Sequence, residues 1–368
     1  MVSGDVIAVV AHWTADGSRI ITEATVATAT GPIVVSQLGG TVDGLTMRQF
    51  PAPTEPLVVG MRVAMATHAA ADLAGTMHEV VDATRVLAYP PSFVRTGKTK
   101  GGHYLYWESG CVFVSIADEG TKDINGDNEF PVIDASIAEW NDTTSSCAYL
   151  QVMSDGRVAN AEVGGRDMIN LIKFRDASWC RPATKDDPAR CYAMAAAGIT
   201  TATYVDSTTN ARDGAIVDAD VELNGVNFDI GVGGVTLGTA GCLADLQNTL
   251  THELGHLHGL EHTCLTASDP PRVDELGNDV PLCGGALPPK ITDATMYPYQ
   301  DCGETKKSTL EVDDIAAICA IYPTAKDPGS CDHVGAGSGG CCEIGGDPGT
   351  AGVLGLIGFL AFTRRRRV

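Results

Sequence analysis

Four of the nine histidines fall within eleven consecutive residues, 252–262 (HELGHLHGLEH). Leucines recur before and within this segment at spacings of three and four, which predicts an amphipathic helix with one apolar face. These leucines are Leu243, Leu246, Leu250, Leu254 and Leu257. His252 and His256 are four residues apart, so they stack one turn apart on the helix and away from the leucines. The segment must therefore fold as a helix that presents two imidazoles toward one point.

The chain can turn sharply directly after this helix. Gly259 tolerates the backbone conformation that ends a helix, and another histidine follows three residues later. This spacing predicts one zinc ion with a catalytic carboxylate beside it. The predicted ligands are His252, His256 and His262, and the carboxylate is Glu253. His258 does not suit the same ion and is predicted to be a bystander. The alternative is a histidine-rich helix surface that binds metal adventitiously.

The twelve cysteines all lie at or after Cys111. Ten of them fall between Cys111 and Cys331, and the pair Cys341-Cys342 stands apart in a glycine-rich tail. No C-x-x-C spacing occurs, which disfavours a thiolate zinc site and favours disulfides formed in an oxidising compartment. The second part of the chain is therefore expected to work outside the cytoplasm.

Charge and the first residues add two expectations about partners and location. The net charge of -21 argues against a nucleic-acid partner, because nothing would neutralise the phosphates. Residues 1–10 lack the basic region and cleavage site of a signal peptide. Since disulfides require export, a signal peptide is expected to be encoded upstream of Met1. No pattern in the sequence sets the oligomeric state.

The pattern along the chain changes near residue 90. Residues 1–88 contain short β-branched runs separated by turns, which predicts a small β-rich domain whose role the sequence leaves open. Residues 89–102 concentrate Pro, Gly and Lys and are predicted to be a linker. Strands and helices then alternate over residues 103–325. In that domain, residues 215–224 (AIVDADVELN) alternate apolar and acidic residues, which predicts a half-exposed strand near a sheet edge.

An acidic loop within this domain resembles a calcium-binding loop in part. Asp123, Asn125, Asp127 and Asp134 provide oxygen atoms at loop positions one, three, five and twelve. Asn128 stands where the loop should have glycine. Calcium binding and an ordinary acidic loop are therefore both left open.

The full H-E-x-x-H-x-x-G-x-x-H string and a later segment, residues 294–298 (ATMYP), together resemble a known family. They are similar to the zinc signature and the methionine turn of the metzincin metalloendopeptidases, and Thr-Met-Tyr-Pro is closest to the matrixin branch. The resemblance implies an α+β domain with a twisted mixed sheet and three helices, and it places Met296 beneath the metal. The sequence departs from the family in separating His262 and Met296 by 34 positions. It also has no histidine between Ile169 and Ile230, so one zinc ion is expected instead of two.

This resemblance implies an endopeptidase that hydrolyses extracellular proteins through a zinc-bound water, with Glu253 as the general base. The polypeptide substrate would lie extended along residues 215–223. Two other functions stay open from the sequence. One is a non-catalytic zinc-containing surface or adhesion module, and the other is a zinc hydrolase of a non-peptide substrate.

The last residues form a tail of distinct composition. Residues 326–350 are rich in glycine and contain the Cys-Cys pair, and residues 351–368 combine a short apolar run with four arginines. Twelve apolar residues span about 18 Å as a helix, which is too short for a free-standing membrane span. The tail resembles the C-terminal sorting tail of myxobacterial surface proteins, which implies a membrane anchor that is removed near the cysteines.

Overall fold

The computed structural model describes residues 2–333 and 361–362, apart from 16, 44, 48–56, 58, 70–76, 89–91, 166, 185–187, 268 and 285–286. The chain divides into two compact units, Met1–Pro91 and Ser92–Val368. Strands and helices occur together, with more strand than helix, so the predicted α+β class is confirmed at this level.

The first unit is a β-barrel. Its strands are β1 (Val2–Trp13), β2 (Ile20–Thr28), β3 (Gly31–Leu38), β4 (Gly40–Val42), β5 (Leu45–Met47), β6 (Arg62–Ala69) and β7 (Met77–Ala88). Five of them close in the order β1-β2-β3-β7-β6, with β3 and β7 parallel and the other pairs antiparallel. Alternate residues of β2 point inward, among them Ala24 and Val26, and they pack with Val35 and Val63 in the barrel core. Closure pairs every barrel strand on both sides.

Within the described residues, the second unit is built on a five-stranded sheet and four helices. Its sheet strands are β9 (Cys111–Ala117), β10 (Gln151–Val158), β11 (Asn170–Arg175), β14 (Gly198–Tyr204) and β15 (Ile216–Asn224). Its helices are α1 (Phe130–Thr144), α2 (Leu246–Leu257), α3 (Pro289–Thr292) and α4 (Val312–Ile321). The sheet order is β10-β9-β11-β15-β14, and only the edge strand β14 runs antiparallel to its neighbour.

Short strands complete this unit in pairs. They are β8 (Val94–Arg95), β12 (Cys180–Arg181), β13 (Arg190–Cys191), β16 (Asp229–Gly231), β17 (Leu243–Asp245), β18 (Leu260–Glu261), β19 (Tyr299–Gln300) and β20 (Ala361–Phe362). The pairs are β8 with β18, β12 with β13, β16 with β17, and β19 with β20. The first pair shows that residues 94–95, in the predicted linker 89–102, belong to the folded unit. The unit therefore begins before the predicted boundary at residue 103.

The pattern of residues 215–224 predicted a half-exposed strand near a sheet edge, and this prediction was wrong. The strand β15 lies inside the sheet. It is paired with β11 on one side and β14 on the other, and both of its faces are buried. The acidic face is covered because Glu222 binds the Arg175 guanidinium at 2.5 Å and the Tyr192 hydroxyl at 2.5 Å. The same alternation of apolar and acidic residues occurs in a strand whose acidic face contacts water and in one whose acidic face is covered by buried cations. The pattern alone therefore does not distinguish an edge strand from an interior one. The edge strand is β14.

Helix α2 packs in the centre of the unit, against α1 and β14. Its leucines Leu250, Leu254 and Leu257 are fully buried in the main core. Trp140 of α1 donates a hydrogen bond from its indole to the Thr251 carbonyl at 3.0 Å. The leucine periodicity therefore identified the side of the helix that joins the apolar core, although the rest of α2 except Gln247 is buried as well.

Five disulfides stabilise the second unit. They join Cys111 to Cys331, Cys147 to Cys319, Cys180 to Cys191, Cys242 to Cys302, and Cys264 to Cys283. All ten cysteines between Cys111 and Cys331 are thus paired, as expected of a protein that works outside the cytoplasm. Among the described residues, no helix is long and apolar enough to cross a membrane. The cysteine pair and arginine cluster of the predicted tail lie outside the described residues.

Replacing Leu250 with alanine should destabilise the second unit by about 2–5 kcal/mol, because a fully buried leucine leaves a cavity. Leu276→Ala is the matched control, since Leu276 is 53 % exposed and should change stability by less than about 0.5 kcal/mol. Urea unfolding followed by tryptophan fluorescence measures both variants. Equal effects of the two substitutions would show that the core is assigned incorrectly.

Candidate metal centre and active site

The imidazoles of His252, His256 and His262 converge on one buried point. Their ligand atoms all lie within 4.8 Å of one another, and no other such group occurs among the described residues. The Nε2 atoms of His256 and His262 are 3.2 Å apart. The Nε2 atom of His252 is buried without a hydrogen-bond partner. Such an atom is costly to bury unless something binds its lone pair.

The opposite ring nitrogens are held by backbone carbonyls. Nδ1 of His252 donates to the Thr295 carbonyl at 2.6 Å, and Nδ1 of His256 donates to the Leu260 carbonyl at 2.9 Å. These bonds place the proton on Nδ1 and leave the Nε2 lone pair directed at the shared point. Burial lowers the pKa of all three histidines, that of His256 to about 4. Three neutral nitrogen donors in this arrangement fit a zinc ion.

Local structure explains how the third histidine reaches this point. Helix α2 begins at a cap in which the Asp245 side chain accepts the Asn248 amide, and it ends before Gly259. Gly259 has φ +91°, a conformation that costs glycine little, so the chain reverses there. The next residues form β18, which pairs with β8 and fixes the path to His262.

Glu253 lies one residue after the first histidine and is fully buried. Its Oε2 accepts a hydrogen bond from the Thr200 hydroxyl at 2.7 Å, and its Oε1 has no hydrogen-bond partner. Burial raises the pKa of Glu253 to about 8, while the Thr200 hydrogen bond and the charge of Lys307 act in the opposite direction. A metal ion beside the carboxylate would also favour its ionised form. Burial therefore favours the protonated form of Glu253, and the Thr200 hydroxyl and Lys307 favour the ionised form that can accept a proton.

Two residues of the edge strand β14 shape the space around this carboxylate. Thr200 supplies the hydroxyl, and Gly198 leaves room, since a Cβ there would lie 2.7 Å from Glu253 Oε1. The sequence analysis missed both residues. Their spacing of two puts them on one face of a strand, but nothing in that local pattern identifies Glu253 as the neighbour of that face.

Met296 is buried beneath the histidine-bearing helix. A Cβ at Gly255 would overlap the Met296 sulfur, so the methionine packs directly against α2 between the two histidines of that helix. The Met296 carbonyl accepts the Thr263 amide at 3.1 Å, which ties this segment to the residue after His262. The structure therefore brings Met296 and the histidines into one assembly.

His258 does not join this group. Its Nδ1 donates to the Leu254 carbonyl at 2.6 Å, and its ring stacks on Trp140 with centroids 4.7 Å apart. Burial lowers the pKa of His258 to about 4. It is a neutral residue of the core.

Lys307 is a buried cation near the site that the sequence analysis did not identify. Its Nζ donates to the Tyr299 carbonyl at 2.6 Å and lies 3.8 Å from the Glu304 carboxylate. Burial lowers the pKa of Lys307 to about 7. When charged, it lowers the pKa of His252, His262 and Glu253. Lys307 lies between Lys306 and Ser308, which are both polar, so the local sequence does not indicate that it is buried.

The acidic loop that resembles a calcium site has other partners. Asp123 is buried and accepts the Ile230 amide at 3.1 Å, whereas Asp127 pairs with the Arg157 guanidinium at 2.9 Å. Neither carboxylate belongs to a group of three or more possible metal ligands among the described residues.

No protein-family model matches the chain, and no curated protein matches it significantly. The function must therefore be inferred from the chemistry of the site.

Replacing His258 with glutamine should reduce the sensitivity of the metal-free protein to acid. The unfolded state takes up a proton near pH 6.5 and the folded state only near pH 4, so stability present above pH 6.5 is lost as the pH falls toward 4. This difference amounts to roughly 3 kcal/mol. Urea unfolding at steps between pH 7 and 4, with a chelator present, measures it. Identical slopes in wild type and variant would contradict the assignment.

Proposed function

We propose that the second unit is a zinc-dependent endopeptidase of the metzincin type, resembling the matrixin branch. The observation that carries this proposal is the convergence of three buried, neutral imidazoles, with the buried Glu253 carboxylate one residue after the first of them on the same helix. A site that served only to bind zinc would not need a buried glutamate next to the ligands. Met296 beneath the helix supports the same family assignment.

The histidines supply charge-neutral ligands. His252, His256 and His262 contribute no negative charge, so a divalent ion keeps its full charge in this site. Zinc, when bound there, would acidify a water molecule and polarise the carbonyl of a substrate. The hydrogen bonds of His252 and His256 to carbonyls fix the orientation of their rings before any ion binds.

Glu253 acts as the general base and then as the general acid. Its carboxylate removes a proton from the attacking water and returns it to the amine that leaves when the peptide bond breaks. The Thr200 hydroxyl donates to Oε2, and Oε1 has no hydrogen-bond partner. Oε1 is therefore the oxygen that exchanges the proton with water and with the leaving amine. The reaction therefore needs the carboxylate ionised at its start.

The edge strand β14 provides the surface for an extended substrate. It pairs only with β15 within the described residues, and we include in the proposal that its other edge accepts the backbone of a further strand. All residues of β14 are buried in this structure, so the segment that covers this edge would have to move before a peptide binds. Gly198 and Thr200 belong to this strand and touch Glu253. A peptide added to β14 would thus pass beside the catalytic carboxylate. This replaces the earlier expectation that residues 215–223 bind the substrate.

The disulfides support action outside the cytoplasm. We include in the proposal that the protein is exported to the cell surface or the medium. The tail at residues 341–368 would then hold it at the membrane until cleavage near Cys341.

Glu253→Gln should retain the metal and lose at least about two orders of magnitude in peptidase rate, because the amide cannot accept the proton of water. Hydrolysis of casein and gelatin measures the rate, and metal analysis measures the zinc content. Glu275→Gln is the control, since Glu275 is exposed and lies outside the site. Zinc without peptidase activity in the wild type would favour a binding module or another hydrolase.

The double variant His256→Ala, His262→Ala should lose its zinc, because one imidazole cannot retain the ion. Wild type should contain one zinc per chain by elemental analysis. His103→Ala is the control, since the His103 side chain is 66 % exposed and lies outside the group of three. Full zinc retention in the double variant would overturn the ligand assignment.

A further inference from the structure

The three predicted ligands differ in how their second ring nitrogen is held. His252 and His256 donate from Nδ1 to carbonyls at hydrogen-bond distance. For His262, the Oε1 atom of the preceding residue, Glu261, lies 3.8 Å from Nδ1 and accepts the His262 backbone amide at 3.2 Å. A buried carboxylate thus faces the third ligand where the other two have a carbonyl.

The Glu261 carboxylate is itself fixed by an arginine. The Arg272 guanidinium binds Glu261 Oε2 at 2.6 Å, and the two side chains are only 14 % and 5 % exposed. The two carboxylate oxygens therefore serve different groups: Oε2 binds Arg272 and Oε1 faces His262. Because the pair is buried, salt screens it less than a pair on the surface, and removing either partner would leave the other charge buried without compensation.

Arg272 is presented by the segment that separates His262 from Met296. A disulfide between Cys264 and Cys283 closes this segment into a loop. The loop is anchored because Leu265 and Val280 pack on Val94, and the Leu265 amide donates to the Pro281 carbonyl at 2.8 Å. The loop closed by this disulfide thus holds the Arg272 guanidinium against Glu261, next to the third predicted ligand.

We infer that Glu261 and Arg272 are positioning residues for the third metal ligand. The Glu261 carboxylate accepts a hydrogen bond from the Nδ1–H group of His262 when this histidine binds the metal, and Arg272 keeps the carboxylate in place. A carboxylate bound to a ligating histidine fixes the tautomer of the ring and increases its basicity. This inference rests on the metal centre in the proposed function, but not on the identity of the substrate.

The affinity for zinc tests the inference directly. Glu261→Gln and Arg272→Met should each weaken zinc binding about 10- to 100-fold, as is typical for partners of ligating histidines. Arg272→Lys keeps the charge and should recover most of the affinity. Competition with a chromophoric chelator gives the dissociation constant for the full chain. The visible spectrum of the cobalt-substituted protein should change in the first two variants, because the field at the metal depends on His262.

Arg175→Met is the matched control, since it breaks another buried pair, with Glu222 on the main sheet. It should lower stability without changing zinc affinity or the cobalt spectrum. Glu261→Gln is almost isosteric, so it tests the inference even if Arg272→Met does not fold.

Three results would overturn the inference. One is unchanged zinc affinity in Glu261→Gln and Arg272→Met. A second is an equal loss of affinity in Arg175→Met, which would make the effect one of general stability. A third is a wild type that binds no zinc, which removes the proposed metal centre as well. If wild type binds zinc and the variants behave as expected, but no peptide is hydrolysed, the inference stands and the proposed peptidase activity fails.

Discussion

The second unit depends on the burial of three neutral imidazoles whose lone pairs face the same point. Burial removes water from these nitrogens, and protonating any of them would place a charge in a desolvated space beside its neighbours. The arrangement persists only if other groups fix the tautomers. Carbonyls of Thr295 and Leu260 do so for two of the rings, and both come from segments that follow α2. The hydrogen bonds of the histidines thus tie the segments that follow the helix to the site, in addition to the pairing of β18 with β8.

Local patterns predicted the centre of this arrangement well. The leucine spacing predicted α2, although Leu243, the first leucine of the pattern, lies in β17 before the helix. The spacing of His252 and His256 depends only on the geometry of this helix, and Gly259 indicated the turn that brings His262 back to them. Contacts distant in sequence could not be predicted in the same way. Thr200 lies 53 positions before Glu253, and nothing in the segment around either residue indicates their hydrogen bond.

The strand β15 shows a different limit of the sequence. Its acidic residues suggested exposure to solvent, but Arg175 and Tyr192, each far along the chain, cover Glu222. The buried Lys307 is a similar case, since the carbonyl that it binds belongs to Tyr299 in strand β19. Charged residues can be buried when their partners come from other elements, and hydropathy along the chain does not record those partners.

All seven residues of the edge strand β14 are buried, and six of them carry side chains. A chain that docked alongside it would meet amide and carbonyl groups only, and these are the same for every residue except proline. Such an edge selects by conformation and not by composition. In the proposed function it would accept a segment already stretched out and reject one coiled into a helix, whatever residues the segment contains. Folded proteins would therefore be protected from this surface until a stretch of their backbone opens.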